Sequence, residues 1–443
     1  MSGGESQTTS AARRREGDGV ADVHDGFLSS EFLAELDDRL APADAQAALY
    51  GGESNRRQPV HTVYVPANQY SIDTPQTWGE QALALLDEHA STPSRFAAVT
   101  GLAPIFIDEV YPRVRAKLAG QPIEDLRIDF EDGYGRHPDE VEDAAALAAG
   151  QALAGSAAAA NSPLMAGIRI KGLQADTRRR GLRTLDLLVR AAVESGGLPD
   201  RFVVTLPKVA HVAEVSAAVR ICERIEQVYG LAAGALRFEL QIEVPPAVVG
   251  PDGVATVARL VHAAGGRCEG LHYGTYDFSA AAGVVAGEQS LEHPLADHAK
   301  AVMQLAAAQT GIRVSDGSTN VIPTGSFDSV RHAWALHARL VQRSLRRAIY
   351  QGWDMHPGHL PTRYAATYAF YRAELQPSCV RLAHYVGRAS SGFMDEPATA
   401  VALAGVVLRA VDCGAADEAE VTAATGLTRS TLLTLARRNG VEC

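Results

Sequence analysis

From residue 60 onward the chain alternates between short, largely β-branched apolar runs and longer segments rich in Ala, Leu and Arg. The runs are VHTVYVP (60–66), LRIDFED (126–132), AGIRIKG (166–172), RFVVTLPKV (201–209), RFELQIEV (237–244), GLHYG (270–274), GIRVS (311–315) and GWDMHP (352–357). Runs of this length and composition predict buried strands; the segments between them, such as 139–155, 211–230 and 293–311, predict helices. Eight strands separated by helices fit a closed (β/α)8 TIM barrel. An open doubly wound α/β sheet is the alternative, but no G-x-G-x-x-G follows the first strand. No period of 20 to 50 residues repeats, which sets solenoids aside.

Two stretches depart from the regular alternation. Residues 67–124 separate the first strand from the second and hold two helix-like segments, around 75–90 and 105–119. This enlarged first βα connection is expected over or beside the barrel mouth. Helical pattern then continues through 361–443. Its apolar positions (Val401, Leu403, Val406, Val407, Leu408 and Val411, then Leu427, Leu432, Leu433 and Leu435) recur at helical spacing and need a surface to cover. Because the loop His356-Pro357-Gly358-His359 feeds this region, the expectation is a cap on the barrel mouth, or on that of a neighbouring subunit. The stretch 417–440 has a helix–turn–helix pattern with Gly426 at the turn. Its mixed charges favour packing over DNA reading. The organisation expected is a polar, disordered tail over 1–25, a barrel over 26–360 and a helical cap over 361–443.

Composition narrows the partners. Of 443 residues, 47% are hydrophobic, yet no apolar run approaches the roughly 20 residues that span a bilayer. A net charge of −11 argues against nucleic acid as the main partner. The five cysteines, Cys222, Cys268, Cys379, Cys413 and Cys443, show no C-x-x-C spacing, which points to reduced thiols in a cytoplasmic protein. Lysine occurs only at 117, 171, 208 and 300, so each one is worth placing.

In a barrel the C-terminal strand ends form the active face. Those ends carry Glu131 and Asp132, Arg169 and Lys171, Lys208, Glu243, Asp277 just beyond the sixth strand, and His356; His272 lies within the sixth. Glu243 and Asp277 suit a hard cation such as Mg2+, which would polarise a carbonyl. Arg169 offers a fork for a substrate carboxylate, oriented by an ion pair with Asp132 or Glu131. Lys208 either forms a Schiff base or neutralises the acids around it, the latter being favoured among so many carboxylates. Glu131, His272 and His356 are candidates for moving a proton.

The ordered set VYVPANQ, DFEDGYG, GIRIKG, TLPKV, LQIEV, HYGTYDFSAAAG and WDMHPGH resembles the citrate lyase β-subunit-like group of the HpcH/HpaI aldolase superfamily, over about residues 60–360. The resemblance implies a Mg2+-dependent barrel lyase, with Mn2+ as an alternative metal. It implies Glu243 and Asp277 as metal ligands, Arg169 as the substrate-carboxylate arginine, and Glu131 and Asp132 lining the site; Lys171, Lys208, His272 and His356 are read from their place on the strands as further substrate contacts. It also implies carbon–carbon cleavage next to a carbonyl in a small carboxylic acid or acyl-CoA thioester, and a trimeric or hexameric homo-oligomer. Lys171 stands where the group usually has asparagine, and Val244-Pro245 where Thr or Ser follows the glutamate. A thioester hydrolase on the same scaffold and a non-catalytic, metabolite-sensing barrel are the alternatives.

Overall fold

Each of the eight runs becomes a strand: β1 His61–Pro66, β2 Asp125–Asp129, β3 Met165–Arg169, β4 Phe202–Leu206, β5 Arg237–Ile242, β6 Cys268–Tyr273, β7 Arg313–Ser315 and β8 Gly352–Asp354. The computed structural model describes residues 28–54, 56–156, 161–387 and 396–436. The tail expected over residues 1–25 lies outside them. All strand pairs are parallel, in the order β7-β6-β5-β4-β3-β2-β1-β8. A parallel bridge between Ser315 and Gln351 brings the two edges together. The Asp316 amide donates to the Gln351 carbonyl at 2.9 Å beside it. The result is a (β/α)8 barrel, as the alternation predicts.

The helices are α1 Ser30–Ala48, α2 Thr74–His89, α3 Pro93–Thr100, α4 Ile107–Gly120, α5 Asp139–Ser156, α6 Arg178–Glu194, α7 Val212–Tyr229, α8 Pro245–Val248, α9 Thr256–Ala263, α10 Thr275–Ala281, α11 Pro294–Ala307, α12 Phe327–Arg346, α13 Leu360–Gly387, α14 Pro397–Cys413, α15 Glu418–Thr425 and α16 Arg429–Ala436. The chain divides into a unit ending at Tyr50 and a unit over Gly51–Cys443. In the first, α1 has no buried residue and is capped by the Ser29 hydroxyl. Among the described residues no helix is long and apolar enough to cross a membrane.

Strand alternation sorts the chemistry. On β2, Leu126, Ile128 and Phe130 join the apolar layer under the helices, while Asp125, Arg127 and Asp129 face into the barrel. Burying charge on that face requires partners, and the interior supplies them, as described below.

The 67–124 connection folds as α2, α3 and α4, one helix more than its pattern suggested. It lies beside the barrel: Phe96 meets Trp334 of α12 edge-on, with centroids 6.0 Å apart, and α4 packs on α13. The C-terminal helices do not cover the strand-end face of their own chain. Helix α13 carries the chain past the strand starts, where the Tyr364 hydroxyl donates to the Pro122 carbonyl at 2.8 Å. Helices α14 and α16 line a cavity with Gln58, Arg313 and Tyr350, which precede or open their strands. The apolar stripe is real, with Leu403, Val407 and Leu408 buried, but it covers the far end of the barrel. A 28-residue helix is long enough to cross the whole barrel height, which the loop after β8 could not reveal. The helix–turn–helix is α15 and α16, joined by left-handed Gly426, and it packs on α13 and α14.

Asp354 ties the outer wall together. Its carboxylate accepts from Arg363 Nη2 at 2.8 Å, Arg363 Nε at 3.0 Å, His61 Nδ1 at 2.9 Å and His337 Nε2 at 3.0 Å. Burial alone would raise its pKa, but Arg363 and the two histidines hold it well below the usual carboxylate range. His337, Asp354 and His359 each bring one ligand-type atom within 4.8 Å of the others. A cation there would have to displace the Arg363 guanidinium, so the cluster reads as structural. Asp354→Ala strands a buried arginine and should cost about 3–5 kcal/mol. Arg220→Ala, in an exposed pair on α7, should stay within about 0.5 kcal/mol. Urea midpoints followed by circular dichroism check this; equal shifts would count against it.

Candidate active site at the strand ends

A column of paired charges fills the barrel. In its lower part the Arg127 fork grips Glu239, with Nε–Oε1 and Nη2–Oε2 both 2.9 Å. Asp125 binds its other nitrogen. Glu239 also accepts from Thr205 Oγ1 at 2.5 Å and pairs with His272 Nε2 at 2.8 Å. Each of these groups is buried, and such pairing is what makes charge tolerable in a core.

One layer higher, Arg169 is held by Asp129, with Nε–Oδ1 2.6 Å and Nη2–Oδ2 2.7 Å. Asp129 also accepts from the amides of Glu131 and Gly133, each at 2.9 Å. Gly133 is required there, because a Cβ would stand 2.5 Å from Asp129 Oδ2. The guanidinium lies over the rings of Tyr64 and Trp353, 4.7 and 5.3 Å from their centroids. Its Nη1 reaches Gln241 Oε1 at 3.3 Å and Glu131 Oε2 at 3.4 Å. The Nε/Nη2 edge is therefore committed to Asp129, and the Nη1/Nη2 edge is the one that can meet a ligand.

The rim completes the site. Lys208 follows β4 with φ +55°, a left-handed conformation that non-glycine residues rarely adopt. Its amide donates to Glu243 Oε1 at 2.8 Å. Its ammonium reaches Glu131 at 2.5 Å, Asp132 at 2.8 Å and Asp277 at 3.4 Å. Glu243 ends β5 at 1% exposure and accepts from Gln241 Nε2 at 2.5 Å. Gly274 lets β6 pass close to it, since a Cβ would meet Glu243 Cβ at 2.3 Å. Asp277 stands in the first turn of α10.

The strand ends thus bring together Arg169, Glu131, Asp132, Lys208, Glu243 and Asp277. Four expected placements come out differently in the structure. Arg169 is gripped by Asp129, the last inward residue of β2, and pairs with the expected Glu131 at 3.4 Å, whereas Asp132 lies beyond the turn on Lys208. Lys171 leaves the mouth: β3 ends at Arg169, the alternation lapses, and the ammonium binds Glu142 and the Phe130 carbonyl, both at 2.7 Å. His272 sits below the mouth, in register with Gln241. His356 Nδ1 accepts from the Gly358 amide at 3.0 Å and caps the turn after β8. Asp129, Gln241 and the Arg127–Glu239 pair were missed. Their signal was the period-two polar spacing in DLRIDFE and FELQIEV.

The rim carboxylates are oxygen donors, the kind a hard divalent cation takes; among the described residues no three of them bring ligand atoms within 4.8 Å of one another. Five carboxylates, those of Asp129, Glu131, Asp132, Glu243 and Asp277, face two cationic side chains, Arg169 and Lys208. The Lys208 ammonium lies among Glu131, Asp132 and Asp277. Burial pushes Glu243 up to about 8, and Asp277 and Glu131 push the same way. Burial, with Asp132 beside it, also raises Glu131 despite Arg169 and Lys208. Inside the barrel Trp353 Nε1 and His272 Nδ1 are buried with no hydrogen-bond partner among the described residues.

The chain belongs to the family described as a domain of unknown function, DUF6986, whose model matches residues 40–440. No curated protein matches it. Among solved structures, a citrate lyase from Burkholderia xenovorans LB400 aligns with TM-score 0.53 and 18% identity, over 82% of this chain and 95% of that one. The native malate synthase of Haloferax volcanii aligns with TM-score 0.46 and 15% identity, over 81% and 98%. CitE from Mycobacterium tuberculosis, in complex with magnesium and acetate, aligns with TM-score 0.39 and 17% identity, over 71% and 93%. The likeness to the citrate lyase establishes the shared barrel fold.

The raised Glu243 carboxyl sets a pH dependence. From about pH 4.3, where an unfolded glutamate ionises, to about pH 8, the folded state keeps a proton that the unfolded state releases. Stability therefore falls as pH rises through this window and levels off above it. In chelator-treated protein, Glu243→Gln should remove that fall, a difference of a few kcal/mol at roughly 1.4 kcal/mol per unit. Parallel urea-midpoint profiles for the two proteins between pH 5 and 9 would contradict the assignment.

Proposed function

We propose that this protein is a metal-dependent carbon–carbon lyase, cleaving a small carboxylic acid or its acyl-CoA thioester next to a carbonyl, by retro-aldol or retro-Claisen chemistry. One observation carries the reading: the carboxylates of Glu131, Asp132 and Asp277 converge on the Lys208 ammonium while Glu243 takes the Lys208 amide, beside the buried Arg169, whose Nη1/Nη2 edge faces Gln241 and Glu131. Such an edge is shaped for a planar carboxylate.

Glu243 and Asp277 would hold the cation, Mg2+ or Mn2+, whose Lewis acidity would polarise the carbonyl next to the breaking bond. Arg169 binds the substrate carboxylate through Nη1 and Nη2, while Asp129 fixes its plane. Tyr64 and Trp353 cover the guanidinium and keep water from it. Glu131 touches both Arg169 and Lys208, and its raised pKa suits it to take and return the proton. Asp132 sets the position of Lys208. Lys208 balances the acids and would give up that place to a bound cation.

Turnover of a panel of 2-oxo acids and acyl-CoA thioesters, followed by mass spectrometry with and without Mg2+, tests the reading. Mg2+-dependent carbon–carbon cleavage is expected; thioester hydrolysis alone would assign a hydrolase. Titration calorimetry should show one Mg2+ site that the double variant Glu243→Gln/Asp277→Asn loses while its circular dichroism stays native. Unchanged Mg2+ affinity would refute the metal assignment. Arg169→Lys should lower kcat/KM by roughly tenfold to hundredfold, the loss of one charge-assisted pair; native kinetics would remove its role. By the family resemblance the active form is a trimer or hexamer, and elution as a monomer at micromolar concentration in light-scattering chromatography would contradict this.

A further inference from the structure

The opposite end of the barrel carries the reverse charge. Glu269, at 6% side-chain exposure, is shared by three arginines: Arg56 at 2.6 Å, Arg313 at 2.8 Å and Arg237 at 3.4 Å. A fourth, Arg201, precedes β4 and has no carboxylate. Its Nη1 donates to the Arg57 carbonyl at 3.0 Å. Its Nε and Nη2 are buried and have no hydrogen-bond partner among the described residues. These two nitrogens form the edge that grips carboxylate or phosphate in two parallel bonds, and a buried guanidinium edge left empty is costly. Burial and the nearby charge of Arg313 draw this guanidinium down to about 10, against Glu269 and Asp125. Asp125 is already held by Arg127 and Thr62.

Arg56 and Arg313 also line a cavity of about 470 Å3 between the strand starts and helices α14 and α16. A volume of this size is that of a small-molecule site. Ile312, Val401, Val406 and Leu433 give it an apolar wall. Arg409, stacked 4.4 Å over Tyr350, adds a further cation. Of the acids in the lining, Asp412 is bridged by Arg429 and Glu53 lies 3.9 Å from Arg409. The chain as a whole is acidic, at −11, so this concentration of arginine is local.

We infer that the strand-start end of the barrel is a second binding site, for a small organic anion whose carboxylate or phosphate head meets Arg56 and Arg313 at the cavity wall and whose apolar body fills the cavity under α14. It lies across the barrel from the candidate active site and does not rest on the proposed reaction.

The test uses the full-length protein with inorganic phosphate, octanoate and octyl phosphate, at constant ionic strength in chloride, read by thermal shift and calorimetry. Saturable binding of at least one octyl probe is expected, and comparison of the two heads separates a carboxylate ligand from a phosphate one. Arg313→Gln should weaken it by about tenfold or more, as loss of a charge-assisted pair does. Arg56→Gln, at a half-exposed side chain, should act in the same direction and decides the matter if the Arg313 variant does not fold. Ala402→Trp, which fills the cavity from an exposed position, should block the octyl probes and spare phosphate. Absence of saturable binding overturns the site. So does binding that neither arginine variant changes. Phosphate binding alone, equal in every variant, would mean an adventitious ion only and would equally overturn it.

Discussion

The interaction on which the rest depends is the pairing of Asp129 with Arg169 inside the barrel. A lone buried carboxylate or guanidinium would be severely destabilising, whereas the pair, with two backbone amides and two aromatic faces around it, satisfies both charges. That pair fixes the turn after β2, which delivers Glu131 and Asp132 to the rim. It also leaves one edge of the arginine toward the mouth. The Arg127–Glu239 pair below repeats the arrangement. An apolar lining would be no harder to fold. Charges stacked through the barrel give its two ends different character.

The four lysines show how thoroughly charge is balanced. Lys117 pairs with Glu124, Lys171 with Glu142 and Lys300 with Asp316, all in the wall or the helical layer. Lys208 alone sits at the strand ends, and it alone of the four takes a positive φ. Strain of that kind is tolerated where the surroundings over-determine it, and here the Glu243 carboxylate holds the amide while three acids hold the ammonium. The strand-end face thus has acids short of cations. The strand-start face has arginines short of acids.

The placement of the C-terminal helices follows from packing area. Their apolar stripe demanded cover, and two faces could have provided it. The wall formed by α13 and α4, with the open strand starts beyond, offers a broad surface; Arg113 and Arg372 then anchor Asp417 and Glu420 to it. The mouth is left to its own loops, so the enclosure of the candidate active site comes from Tyr64, Trp353 and the turns after β2 and β8.

The sequence by itself determined the strands, their order of chemistry and the barrel, because alternation with period two and helical spacing are local properties that each segment carries alone. It also carried the strand-end acids and Arg169, since a strand that ends in a carboxylate announces a rim. Only the tertiary structure decided which carboxylate holds Arg169, that Lys171 turns away to Glu142, that His272 belongs to a lower layer, and that α14 and α16 lie at the far end. Each of those outcomes depends on where a strand stops and which distant residue stands opposite. Such pairings span tens to hundreds of residues, as Arg127 with Glu239 and His61 with Asp354 do, and they are settled by closure of the barrel, which no single segment encodes.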